Sequence, residues 1–504
     1  MVSKKGVILF SCGLLGVVFL VVGCVLINVF DTLIHSEVKD GLPLTKGSAS
    51  YKNWQSPKSP IYFQVWMFNV VNRMEIIAGE KPAVAQMGPY TYREHREKVD
   101  INYYDNGTLT YRELRSFVFQ PDMSVGSEND TFYTVNLPAL TIMSMLKREY
   151  TFFDELVDLI LNAIGERLFI QLSVHDLMWG YEDPLLKDAK EIARMFNRTL
   201  NMSDYFGLFY NQNNTDDGLY QIYSGVKGID NFGKIVTWNQ FEKLPYWTNE
   251  SANMINGTDG TIYPPFISTK ETKYLFSSDL CRSLGLDFTE PLTVKGIGLD
   301  RFVAPDIMFG NVTVNPYNAG FCTPAGNCLP SGLLNVSVCR SGAPVIMSMP
   351  HFLGCDQETI DTIVGLRPDR EEHQSYIDIE PMTGVAMNVG KRLQINTYIE
   401  PDAKFQDLKN IKKPFFMPVM WLNESAVISD SDASDFRSEV LDKIKITTGV
   451  KYGLIVLGAV MIIIVILVLA LPKLKDLMMR KKEEAINKNN EDDDDVPILF
   501  HGAS

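Results

Sequence analysis

Histidine is scarce in this sequence, and no two of its six histidines stand at metal-ligand spacing. The chain also lacks a G-x-S-x-G elbow, an H-E-x-x-H pair, a phosphate loop and a dinucleotide fingerprint, each of which fixes a reactive or phosphate-binding group at a defined spacing. No motif for catalysis is left, so the expectation is a non-enzymatic protein with no cofactor and no metal. The run Asp430-Ser431-Asp432-Ala433-Ser434-Asp435 alternates acids as a calcium loop does, but it lacks the glycine and the glutamate that such a loop needs. It reads as a solvated connector. Basic residues are outnumbered, 47 Lys and Arg against 61 Asp and Glu, for a formal charge of −14. Phosphate contact needs a basic face, so nucleic acid is excluded as a partner. Low-complexity tracts and internal repeats are missing too, while 46% apolar and 21% charged residues suffice to build a core.

Cysteine is sparse but unevenly placed. Cys12 and Cys24 lie in an apolar run, and the other five (Cys281, Cys322, Cys328, Cys339 and Cys355) cluster. A zinc site would call for C-x2-C pairs, whereas five residues separate Cys322 from Cys328. The cluster reads as a local disulfide framework in a secretory-side domain, with at least one of the five left over. The pairing itself stays open at this level.

Two apolar runs set the topology. Gly6–Phe30 contains no charged residue, and Tyr452–Leu471 repeats the pattern. About 20 helical residues span a bilayer core of about 30 Å, so each run is long enough. The first exceeds the usual signal-peptide core and has no small-x-small cleavage site behind it, so it reads as an uncleaved anchor. Lys4 and Lys5 precede the first span, and Lys473, Lys475, Arg480, Lys481 and Lys482 follow the second. The positive-inside rule puts both termini in the cytoplasm. The expected organisation is a cytoplasmic tail (1–6), a span (7–30), a luminal or extracellular domain (31–451), a second span (452–471) and a cytoplasmic tail (472–504). Ten N-x-[ST] sequons fall in the predicted luminal part and none in the tails: Asn106, Asn129, Asn197, Asn201, Asn213, Asn249, Asn256, Asn311, Asn335 and Asn423. They predict a heavily glycosylated luminal surface.

Within the luminal part, Ile61–Val71, Thr108–Gln120, Thr261–Ser268 and Arg392–Ile399 have the residue types of strands, with turn signals between such segments. A helical region is expected at about 140–196. Phe153, Leu156, Val157, Ile160, Ile164 and Leu168 fall on one helix face, and Phe152, Leu159 and Leu161 widen it. That apolar excess is read either as packing in a small bundle or as a docking face for a protein or lipid. Thr151 is the expected N-cap.

Several longer segments carry a family resemblance. GPYTYR (88–93), LMWGYEDP (177–184), YFGLFY (205–210), NMINGTDG (253–260), SSDLCRS (277–283), YIDIEPMTG (376–384) and PVMWLNES (418–425) occur in order, together with the long stretch from Asn318 to Phe352. The chain resembles the class B scavenger receptors, the family of the fatty-acid translocase, and most closely its lysosomal integral membrane protein type 2 branch. The likeness covers nearly the whole chain, and the short loop between Cys322 and Cys328 resembles the lysosomal branch in particular. It implies an α+β fold: a large antiparallel β-barrel-like luminal domain, an apical helical bundle, an internal hydrophobic tunnel and two transmembrane helices. It implies Cys281–Cys339 and Cys322–Cys328 as disulfides, with Cys355 free. It also implies a receptor in the lysosomal or late endosomal membrane that binds ligands at its apex, along Phe152, Phe153, Leu156, Val157, Leu159, Ile160 and Ile164. Such a receptor would pass cholesterol, fatty acid or phospholipid to the membrane. The alternatives are a plasma-membrane receptor for lipoproteins, microbes or dying cells, and a transport receptor for a hydrolase. A homo-oligomer is among the assemblies the family allows.

In the tail, Asp494, Ile498 and Leu499 fit the acidic dileucine pattern that cytosolic sorting adaptors read, as in the lysosomal branch. One position departs from that branch. It carries a histidine at the start of the apical helix, resembling a pH switch for release of the hydrolase acid β-glucosidase. Here that position is Thr151, which cannot titrate, and this counts against pH-controlled hydrolase delivery. His175, nearby in sequence, is expected to pack or cap locally.

Overall fold

The computed structural model describes residues 4–149, 167–195, 203–340, 342–403 and 405–493. They form two compact bodies. One comprises the terminal segments up to Glu37 and from Asp435 onward, and the other runs from Val38 to Ser434.

The terminal body contains two long apolar helices, Lys4–Gly41 and Asp442–Asp493, each able by length and composition to cross a membrane. Their apolar windows are almost wholly exposed within the molecule, as lipid-facing helices are. The two helices touch where glycines let the backbones meet. A Cβ built on Gly458 would stand 2.7 Å from the Gly16 carbonyl oxygen, and one on Gly23 would stand 2.6 Å from the Ile455 side chain. Close backbone approach through small residues is how helices associate without a hydrophobic driving force. Lys451 pairs with Asp31 at 3.2 Å. Both helices outrun the spans expected from the sequence, and Pro472 lies inside the second helix rather than ending it.

The larger body is built on a 13-stranded sheet. Its early strands are β1 (Ile61–Val70), β2 (Val84–Tyr103) and β3 (Thr108–Phe119), followed by a separate pair, β4 (Thr131–Val135) and β5 (Phe169–Ser173). A second short pair, β6 (Tyr181–Glu182) and β7 (Tyr205–Phe206), precedes β8 (Leu219–Tyr223), β9 (Ile235–Trp238) and β10 (Lys273–Ser277). Then come β11 (Arg282–Val294), β12 (Ile297–Val303), β13 (Leu334–Asn335) and β14 (Ile346–Ser348). The last are β15 (Tyr376–Ile379), β16 (Ala386–Ile399) and β17 (Phe415–Val427). The main path runs β10-β11-β12-β15-β16-β17-β1-β2-β3-β8-β9, with antiparallel neighbours throughout, and β14 branches from β16.

The sheet nearly closes on itself. The segment around Gly257 bridges its two ends: Ile235 N–H donates to the Gly257 carbonyl (2.8 Å), and Phe276 N–H to that of Thr258 (2.9 Å). Gly257 has φ +86°, and a Cβ there would lie 1.9 Å from the Tyr274 carbonyl oxygen, so only glycine fits this seam. Closure leaves few edges to pair with other chains.

Three of the four segments read as strands are strands. Thr261–Ser268 is instead a loop touching the sheet through one bridge, Ile262 to Val385. Pro264 and Pro265 within it have no N–H to give a ladder. The helical region expected at about 140–196 is interrupted: helices Leu137–Glu149, Val174–Trp179 and Pro184–Met195 are separated by β5 and β6. The stretch expected to be a solvated connector is a helix, Asp430–Phe436. Ser429 Oγ accepts the Asp432 N–H and so caps it.

Candidate functional site in the barrel interior

Alternation along β2 and β3 decides what the barrel encloses. Side chains on a strand point to opposite faces in turn, so Tyr90, Tyr92, Glu94, Arg96 and Lys98 share one face. The antiparallel register sets Tyr92 against Phe119, Glu94 against Phe117, Arg96 against Arg115 and Lys98 against Glu113. The interior is therefore layered.

The first layer is aromatic. Tyr92 meets Trp179 edge-on, with ring centroids 5.3 Å apart, and Phe119 at 5.4 Å. Phe117 lies 5.3 Å from Trp179, and Phe63 lies 5.2 Å from Phe117 and 5.3 Å from Phe209. The helix Val174–Trp179 brings Trp179 into this layer. Its start is fixed by a capping box in which Ser173 Oγ accepts the Asp176 N–H. These rings open onto a cleft of about 380 Å³, also lined by Glu128, His175, Tyr210, Asn211 and Asn213. Tyr92 donates its hydroxyl proton to Glu128 at 2.8 Å. Burial and the adjacent Glu128 carboxylate push the Tyr92 phenol far up, so it remains a donor.

The second layer is ionic. Arg96 meets Glu94 at 2.7 Å, Glu113 at 3.2 Å, and Glu424 of β17. Lys98 meets Glu113 at 2.5 Å. Lys391 of β16 joins Glu424 (2.5 Å) to Asp279 (2.7 Å). Arg115 pairs with Asp217 at 2.9 Å, and Asp217 also accepts the hydroxyls of Tyr220 and Ser278. Burial alone would raise the Glu113 carboxyl, but Lys98 and Arg96 outweigh it and hold Glu113 down to about 2. Glu424 is likewise buried, yet Arg96 and Lys391 hold it below the usual range. Glu94 goes the other way: burial raises it, and Arg96 only partly offsets that. One of its carboxylate oxygens is buried without a hydrogen-bond partner.

The third layer is aromatic again. Tyr111 stacks with Tyr220 at 5.4 Å and meets Trp54 edge-on at 5.0 Å, with the Lys98 ammonium 5.3 Å from the Trp54 ring centre. Tyr111 donates to Asp259 at 2.7 Å.

On the outer face of β16, β17, β1 and β2, residues 346–374 cover a second, partly polar core. His351 and His373 stack there, ring centroids 4.5 Å apart, beside Trp421 and Phe68. His351 Nδ1 accepts the Arg367 N–H (3.1 Å), which leaves its proton on Nε2 to donate to Gln86 Oε1 (2.6 Å). Gln86 Oε1 also accepts the Trp421 indole N–H at 2.7 Å. His373 Nδ1 accepts the Asp369 N–H at 2.9 Å. Burial, and then His373, push His351 down to about 4. Burial also lowers His373.

Cys281 is bonded to Cys339 and Cys322 to Cys328, while Cys355 is free. Burial and the adjacent Asp356 push the Cys355 thiol well up, so it stays protonated and unreactive. With its ends 58 positions apart in the sequence, the first bridge contributes about 4 kcal/mol in the chain-entropy account. Replacing both Cys281 and Cys339 by Ser is expected to lower the unfolding free energy by about that amount. A denaturant titration of the purified chain checks it, and an unchanged midpoint would contradict it.

Asn106, Asn129, Asn213 and Asn249 are exposed, whereas Asn256, Asn311, Asn335 and Asn423 are half-buried. Asn197 and Asn201 lie outside the described residues, as do Thr151, the apical set Phe152, Phe153, Leu156, Val157, Leu159, Ile160 and Ile164, and the tail residues Asp494, Ile498 and Leu499. His175 was expected to pack or cap. It does neither: Ser173 supplies the cap, and the half-exposed His175 ring lies at the cleft. Sequence reasoning missed the ionic layer. Its signal is charge at alternate positions of a strand, Glu94-x-Arg96-x-Lys98 facing Glu113-x-Arg115, in line with inward-pointing Tyr90 and Tyr92.

The fold is thus a nearly closed antiparallel β-domain with two disulfides, in a chain whose two terminal helices are long and apolar enough to cross a membrane. The CD36 family model matches residues 14–469, and the chain belongs to that family. It is 39% identical over 453 residues to Lysosome membrane protein 2 of Mus musculus, covering 89% of this chain and 92% of that protein. It is 38% identical over 453 residues to Lysosome membrane protein 2 of Homo sapiens, with the same coverage. To Scavenger receptor class B member 1 of Bos taurus it is 34% identical over 457 residues, covering 91% of this chain and 88% of that protein. These relationships support a scavenger-type receptor of lysosomal or other cell membranes.

Proposed function

We propose that the protein is a two-pass receptor of the lysosomal or late endosomal membrane, without catalytic activity, that takes up lipid at its luminal domain and passes it to the bilayer. The observation that carries this reading is the aromatic cleft, whose Tyr92 and Phe117 also belong to the inward face of a nearly closed barrel. A sterol, fatty acid or phospholipid chain sheltered there avoids water, at about 0.8 kcal/mol per CH2. The ionic layer gives the path a polar station between two aromatic ones, so the proposed conduit is not uniformly apolar. The test is transfer of labelled cholesterol or fatty acid from donor vesicles to proteoliposomes carrying the full chain. Transfer faster than to protein-free vesicles is expected, and equal rates would contradict the reading.

Compartment rests on the tail and the relatives. Lysosome membrane protein 2 relatives and the acidic dileucine pattern favour lysosomal sorting, with glycans on the luminal asparagines as protection. Replacing Ile498 and Leu499 by Ala is expected to move most of the protein to the cell surface. Surface biotinylation reads this, and an unchanged distribution would favour the plasma-membrane scavenger reading suggested by the Scavenger receptor class B member 1 relatives. Capture of lipoprotein or hydrolase ligands by the segment 152–164 is a second activity proposed from the family resemblance.

A further inference from the structure

We propose that the aromatic cleft binds the quaternary ammonium of a choline headgroup. The proposal deepens the lipid-receptor reading and rests on it. Tyr92, Phe117, Phe119, Trp179, Phe209 and Tyr210 line the cleft, and Glu128 is the one carboxylate among its lining residues. Glu128 accepts the Tyr92 hydroxyl and forms no ion pair with any described residue. Among the described lining residues the site therefore offers ring faces and a carboxylate with no Lys or Arg beside it. Ring faces attract a cation through their quadrupole. A primary ammonium would need acceptors for three N–H groups, which one carboxylate and two asparagines at an open cleft supply poorly. A trimethylammonium needs none and offers methyl groups to the rings. The volume of about 380 Å³ lies near the lower end of ligand pockets, suiting a headgroup rather than acyl chains. His175 and Asn211 bring ring and amide nitrogens to the same cleft, where the headgroup phosphate would lie.

The Asn213 sequon also borders the cleft, and the Asn213 side chain is tied to Phe117 by accepting its N–H at 3.0 Å. Binding is therefore measured in a Thr215→Ala background as well, which cancels the sequon and keeps that asparagine. The experiment is calorimetric titration of the full chain, in a non-choline detergent, with short-chain phosphatidylcholine, short-chain phosphatidylglycerol and free phosphocholine. Phosphatidylcholine is expected to bind about tenfold more tightly than phosphatidylglycerol. Glu128→Gln keeps an acceptor for Tyr92 but removes the charge, and is expected to weaken phosphatidylcholine about tenfold while leaving phosphatidylglycerol unchanged. Trp179→Leu tests the rings independently, in the same direction. Phosphocholine binding that Glu128→Gln weakens would show that the headgroup suffices, and binding of the whole lipid alone would show that the chains are needed too; both support the assignment. Equal affinity for the two lipids, or a preference that neither variant changes, overturns the choline assignment and leaves the lipid-receptor reading standing. Binding of phosphocholine without either lipid sinks the receptor reading and keeps the site. No binding of any probe, with and without the Asn213 glycan, overturns the choline assignment and removes phospholipid from the lipid-receptor reading.

Discussion

Replacing Arg96 by Met is expected to lower the unfolding free energy by about 3–5 kcal/mol, the cost of stranding a buried charge. Arg96 touches Glu94, Glu113 and Glu424. Glu113 keeps Lys98, and Glu424 keeps Lys391. Glu94 keeps no direct ion pair among the described residues, and its unpartnered oxygen shows that it is already poorly satisfied. Most of the loss should therefore pass through Glu94. Two further measurements follow from this. Glu94→Gln alone should be nearly neutral, because burial already favours the uncharged form. Adding Glu94→Gln to Arg96→Met should restore at least half of the loss. Guanidinium unfolding of the four proteins gives the cycle. Additive losses would show that Glu94 and Arg96 are not coupled and that the ionic layer is not what holds this part of the barrel.

Acidification acts through a different group. Neutral His351 is locked in place by an N–H donated to its Nδ1 and by its own Nε2 proton on Gln86. Its folded pKa, about 4, lies below the ordinary value of 6.5. A depressed histidine contributes stability that is complete above the ordinary value and is lost as pH falls toward the folded one. Between about pH 7 and pH 5 the loss through His351 alone is roughly 2 kcal/mol. The neighbouring His373, also lowered by burial, adds in the same direction. Glu94 opposes it, since its raised carboxyl favours the folded state on protonation. Glu113 and Glu424 begin to weaken only below the ordinary carboxylate range, Glu113 down to about 2. In this window His351 and His373 are therefore the groups that lose stability on acidification, with Glu94 opposing them. In the His351→Gln variant the fall in stability between these two pH values should shrink by more than half. An unchanged slope would place the acid-sensitive protonation elsewhere. Chain geometry at His351 makes the site specific, for both His351 and Phe352 are held at positive φ, a cost retained only where the surroundings over-determine it.

Sequence pattern alone carried the outline of the fold. Uncharged runs and flanking lysines revealed the two membrane-length helices, because twenty apolar residues have few other uses. Strand periodicity revealed β1, β3 and the later half of β16. It failed at 261–268, where Pro264 and Pro265 override favourable residue types, and at 430–435, where Ser429 converts an acidic run into a capped helix. The interior was less legible. Glu94, Arg96 and Lys98 look in sequence like one solvated strand edge, and only closure of the sheet turns that face inward. Trp179 and Phe209 lie far from Phe117 along the chain, and nothing local announces that they share a cleft. The His351–His373 pair is separated by a loop whose course depends on tertiary packing.

The central claim is that this interior handles lipid, and the most direct measurement is organic extraction and mass spectrometry of the full glycosylated chain purified in a defined detergent. The account predicts sterol, fatty acid or phospholipid at stoichiometric levels, depleted when Phe117 and Trp179 are both replaced by polar residues in a chain that still folds. A protein that carries no lipid, before and after incubation with vesicles, would contradict it.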